Sequence, residues 1–87
     1  MSQGIPRQNW SRPLPRPIII PNVMTLKTLA DVRTLIERHL PVERRQRATW
    51  RYVATQLDKA ARGADPTEVV MALRVVLSIE GVECRPQ

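Results

Sequence analysis

Apolar positions crowd most densely between Asp65 and Gly81, where the chain reads DPTEVVMALRVVLSIEG. Val69, Val70, Met71, Ala72, Leu73, Val75, Val76, Leu77 and Ile79 are apolar. At about 100° per residue they cover most of a helical circumference, leaving Thr67, Arg74 and Ser78 as a polar strip. Valine and isoleucine also suit a strand, but the length and the start signal decide for a helix over about 66–80. Asp65 is placed to accept from an orphan amide, Pro66 fits the first helical position, and Glu68 can reach back to the cap. Gly81 supplies a left-handed end. A helix apolar nearly all round is expected to be buried on several sides, so this one reads as the central core element and not as a recognition surface.

Two more helices are predicted before it. The first runs over about 28–40, with Thr28 and Asp31 as a capping pair and Pro41 as its stop. Leu29, Val32, Leu35, Ile36 and Leu40 share one face. The second runs over about 43–62 and ends at Gly63; its start is open between Val42 and Thr49, which would also serve as a cap. As one helix from Val42 it has Trp50, Val53, Ala54, Leu57, Ala60 and Ala61 on a packing side. Arg44, Arg47, Arg51, Lys59 and Arg62 line the other side, with Arg45 and Tyr52 at its flanks. At about 1.5 Å per residue that basic stripe is ~27 Å long.

Residues 1–24 read differently. Pro6, Pro13, Pro15, Pro17 and Pro21 restrict the backbone, Arg7, Arg12 and Arg16 carry charge, and no acid is present. This pattern predicts a disordered or polyproline-like extended arm, not a helix, although its prolines lack the PxxP spacing of polyproline ligands. A short clip between residues 18–20 and 82–84 would tie arm to tail. The expected fold is therefore all-α: a three-helix domain over residues 25–87, preceded by a basic proline-rich arm.

Length and charge set the functional frame. Of 87 residues only about sixty can join a core, which makes the domain marginal alone and favours dimerisation or docking. The net charge is +6 from fourteen basic residues, twelve of them arginine. Arginine suits bidentate phosphate and carboxylate binding, and it is also what a GC-rich coding sequence produces. One cysteine, Cys84, excludes an internal disulfide, and with no signal-like or membrane-length apolar run the expected setting is cytoplasmic.

Catalytic constellations are missing from the sequence. His39 is the only histidine, three glycines are scattered, and no carboxylate pair sits in an apolar setting. No enzyme activity, metal or cofactor is expected. A helix-turn-helix reading of residues 49–82 fails because the connection is long and the second helix offers a groove only Thr67, Arg74 and Ser78. Two binding readings remain. In the first, Arg44, Arg47, Arg51, Lys59 and Arg62, assisted by Arg7, Arg12 and Arg16, contact nucleic-acid phosphates. In the second, the protein is an adaptor or inhibitor that docks a partner through Trp10 and Leu14 of the arm, or closes as a homodimer. Trp10 gains little unless it lies on something, either its own domain or a partner.

Overall fold

The computed structural model describes residues 9–86. The elements are β1 (Pro13–Ile20), β2 (Met24–Thr28), α1 (Leu29–Arg38), α2 (Val42–Arg45), α3 (Ala48–Ala61), α4 (Thr67–Ile79) and a two-residue β3 (Arg85–Pro86). The fold is thus mixed α/β, and the all-α expectation is corrected: the proline-rich segment is a strand. β1 and β2 form an antiparallel hairpin in the order β2-β1-β3. Pro21 and Asn22 make its turn. The Val23 amide donates to the Ile20 carbonyl at 3.0 Å, and Asn22 has φ 65°. Proline followed by a residue tolerant of positive φ is the signature of a type II turn.

The strand is built around its prolines. Pairing with β2 is regular at Ile18↔Leu26, Ile19↔Thr25 and Ile20↔Met24, then irregular back to Pro13↔Thr28. Pro13, Pro15 and Pro17 have no N–H to give a ladder, which accounts for the gap. Leu14, Ile18 and Ile20 nevertheless point inward and are buried with Leu26. On the other edge Ile18 and Ile19 pair with Pro86 and Arg85. The tie between arm and tail is therefore displaced from the expected 82–84 to residues 85–86.

The hairpin face packs on α4 through β1 and on α1 through β2, while α3 lies against both helices. Trp50, Val53, Leu57, Ala60 and Ala61 of α3 meet Val32 and Leu35 of α1 and Val69, Leu73, Val76 and Leu77 of α4 in one core. Ala54, placed by the sequence on the packing side of α3, is exposed.

The helix ends follow local chemistry. Thr28 Oγ1 accepts from the Asp31 amide at 3.3 Å, and Asp31 Oδ2 accepts from the Thr28 amide at 3.1 Å, closing a capping box. Asp65 Oδ1 accepts from the Thr67 amide at 2.9 Å. That hydrogen bond, then the Thr67 side chain and the charge of Arg12, hold the Asp65 carboxyl below its ordinary value of 3.8. Its contribution to the α4 entrance is therefore present above the ordinary carboxylate range and fades as pH falls through the lowered value. At the other ends Gly63 (φ 121°) and Gly81 (φ 73°) take left-handed conformations. Ala64 then donates to the Lys59 carbonyl, and Val82 to that of Leu77, both at 2.9 Å. These are Schellman closures.

The segment before β1 fastens two of these ends. The Leu29 amide donates to the Arg12 carbonyl at 3.0 Å and the Ala30 amide to the Trp10 carbonyl at 2.8 Å. Both are first-turn amides that α1 cannot satisfy itself. The Arg12 guanidinium donates to the carbonyls of Ala60 at 2.6 Å and Ala64 at 2.8 Å, at the negative end of α3. Leu14 is 5% exposed, so Leu14→Ala should lower stability by about 2–4 kcal/mol in urea denaturation. A change below about 0.5 kcal/mol would contradict a packed arm.

Candidate functional site

The basic stripe expected along one helix is divided between two. α2 is a single turn, Arg47 is extended (φ −66°, ψ 146°), and α3 begins at Ala48. No helix breaker stands at Gln46–Arg47. What the break achieves is tertiary: Trp50 enters the core, and two stripe arginines reach Glu80 at the end of α4. Arg47 Nη1 lies 2.9 Å from Glu80 Oε2 and Arg44 Nη1 lies 3.5 Å from Oε1. The Glu80 side chain is only 5% exposed, whereas the two arginines keep 57% and 45% of theirs. A buried carboxylate needs such partners, so Arg44 and Arg47 are first of all its counter-ions.

The remaining sequence-named residues are scattered. Arg62 pairs with Asp58 at 3.3 Å, one turn back on α3. Arg51 and Lys59 are exposed and form no ion pair among the described residues. Arg12 is spent on the α3 end, and Arg16 stands apart, exposed on β1. Arg7 lies outside the described residues. Of the two partner-binding candidates, Leu14 is in the core. Trp10 is half-buried against that core, with the Arg33 guanidinium carbon 4.8 Å from its ring centroid. This cation–π contact and the backbone bond to Ala30 place Trp10 on its own domain.

The least satisfied surface lies elsewhere. α4 buries Val69, Val70, Ala72, Leu73, Val76 and Leu77. Its outer side leaves Met71 and Val75 58% exposed and Ile79 62% exposed. The expectation that this helix is covered on several sides is therefore corrected. β1 and α3 cover one side, and no described element covers the other. Met71, Val75 and Ile79 repeat every four residues and form one stripe. Tyr52 of α3, 53% exposed, adjoins it across a shallow groove shared with Met71, Ala72, Val75 and Val76. Sequence reading missed these residues as a surface because it took all-round apolarity as burial. The signal was present in the element count: a chain this short has too few layers to enclose a helix.

Among the described residues no cluster of histidine, cysteine and carboxylate side chains is arranged to hold a metal, and no helix is long and apolar enough to cross a membrane. The Glu80 clamp is testable by a double-mutant cycle with Arg47→Ala and Glu80→Ala. A coupling of about 1 kcal/mol is expected, since the carboxylate is buried but the guanidinium is half in water. Arg51→Ala should be neutral within about 0.5 kcal/mol. A coupling near zero would mean that the clamp is not formed in solution.

Comparison with protein-family models, with curated proteins and with solved structures finds no match to this chain.

Proposed function

We propose that this chain is a non-enzymatic interaction domain that works as a homodimer, closed by the outer faces of two α4 helices. The observation that carries the reading is the Met71–Val75–Ile79 stripe, exposed on a helix that is apolar nearly all round. Helices of that composition are ordinarily covered. The stripe is also self-complementary. Met71 and Ile79 lie about 6 Å to either side of Val75 along the helix axis. An antiparallel pair with its two-fold axis at Val75 then sets Met71 of each copy against Ile79 of the other, as an isologous interface requires. Tyr52 and its groove extend the contact on one flank, and aromatic side chains are common interface anchors. A chain of 87 residues is small enough for dimerisation to contribute materially to its stability.

A second reading keeps the nucleic-acid backbone as ligand, and one observation favours it: Arg51 and Lys59 stand exposed on α3 without an ion-pair partner among the described residues. The half-exposed guanidinium groups of Arg44, Arg47 and Arg62 add to that side. Their engagement with Glu80 and Asp58 lowers what they can offer to phosphates. Apolar pairing of α4 is therefore the stronger reading.

Salt separates the two. With +6 on each copy, self-association through an apolar stripe holds or strengthens as salt screens repulsion, whereas phosphate binding weakens steeply. In sedimentation equilibrium the protein is expected to be dimeric at tens of micromolar. Val75→Glu should raise the dissociation constant at least a hundredfold without changing helicity by circular dichroism. A wild-type monomer up to hundreds of micromolar would sink the dimer reading. Retention of a DNA duplex that falls with salt and with Arg51→Gln/Lys59→Gln would put the second reading in its place.

A further inference from the structure

A cavity of about 230 Å³ opens between β1, α4 and the C-terminal tail. Arg16 enters from β1, Arg74 and Ser78 from α4 and Arg85 from β3, while Ile18 and Val70 contribute apolar wall. Among the described residues no carboxylate lines it. Glu83, the acid nearest in sequence, is held by Arg85, with Oε2 accepting from Nη2 at 2.9 Å and from Nε at 3.1 Å. Arg16 and Arg74 have no ion-pair partner among the described residues.

The placement of Arg16 is the unusual part. Along β1 the even-numbered positions Leu14, Ile18 and Ile20 are buried against the helices, and Arg16 is the charged residue in that series. Arg16 itself is exposed, so its guanidinium stays hydrated and is accessible to an anion at the cavity mouth. Arg74, also exposed, lines the cavity from the facing helix as the one charged residue between Val69 and Ile79. Strand and helix thus bring two unpaired guanidinium groups, a third paired one and a hydroxyl around a single concave site.

We propose that this cavity binds a phosphate monoester on a small organic molecule. Three guanidinium charges offset by Glu83 leave about two positive charges, which match a phosphate dianion better than a carboxylate. Planar guanidinium forks give paired hydrogen bonds to such oxygens, and the Ser78 hydroxyl adds a donor. The apolar walls at Ile18 and Val70 take the organic portion. A cavity bounded on three sides admits a terminal phosphate more readily than a continuous polynucleotide backbone, which suits an open stripe. This site is separate from the proposed dimer stripe, although Arg74 and Ser78 also border the outer face of α4.

The test is titration of the full chain at low ionic strength with inorganic phosphate, phenyl phosphate and phenylacetate, followed by ¹H–¹⁵N spectra. Saturable shifts centred on Arg16, Arg74 and Ser78 are expected, with phenyl phosphate binding at least tenfold tighter than either inorganic phosphate or phenylacetate. Arg16→Gln, which leaves the α4 face untouched, should weaken phenyl phosphate at least tenfold, as should Arg74→Gln. Cys84, half-buried in the same wall, gives an independent reading, since bound phenyl phosphate should slow its alkylation by iodoacetamide. Absence of saturable shifts at tens of millimolar phenyl phosphate would overturn the proposal. So would shifts confined to the Arg51 and Lys59 side, unchanged affinity in Arg16→Gln, or a stronger response at the cavity to a DNA duplex without terminal phosphates.

Discussion

The fold depends on how residues 9–14 join helix ends that cannot satisfy themselves. An α-helix leaves amides free at its start and carbonyls free at its finish. Here the Trp10 and Arg12 carbonyls take two amides of the α1 start, and the Arg12 guanidinium takes two carbonyls at the α3 finish. The Asn9 amide adds a bond to the Ala61 carbonyl at 2.7 Å. Neutral hydrogen bonds of this kind contribute about 1 kcal/mol each and charge-assisted ones somewhat more. Their sum is comparable to the whole stability of a small domain. One short segment thereby fixes α1 relative to α3 and delivers Leu14, then Ile18 and Ile20, to the core beneath α4.

That arrangement explains what the sequence disclosed and what it concealed. The helix ends marked by Thr28 with Asp31, Asp65 with Pro66, Gly63 and Gly81 were legible because caps are local chemistry. Each acts on atoms within a few residues. The hairpin was concealed because five prolines before residue 24 argue against a ladder, and proline does remove donors from β1. What overrode that argument was alternation: Leu14, Ile18 and Ile20 face inward while Pro13 and Pro15 are exposed. Pro21-Asn22 ahead of the alternating Met24–Thr28 was the usable hairpin signal. The break at Arg47 was only half signalled: Thr49 offered an alternative helix start, but the ion pair formed by Arg47 runs to Glu80, 33 residues away.

Several arginines in this protein act within the fold. Arg12 ends a helix, Arg33 stacks on Trp10, and Arg44 and Arg47 hold a buried carboxylate. A net charge of +6 therefore overstates the basic surface left for a polyanion. Three features remain without an internal partner among the described residues: the apolar stripe on α4, the guanidinium groups of Arg16 and Arg74, and the exposed charges of Arg51 and Lys59 on α3. The binding readings rest on these leftovers.

The claim that the N-terminal segment is part of the fold is tested most directly by native-state hydrogen exchange at the Leu29 and Ala30 amides. First-turn amides of a helix with no external acceptor exchange quickly. If Arg12 and Trp10 supply acceptors, both amides should be protected to nearly the level of the α3 core amides and lose protection only with global unfolding. Rapid exchange at both positions, with the α3 core still protected, would show that the segment is not fastened and would contradict the account.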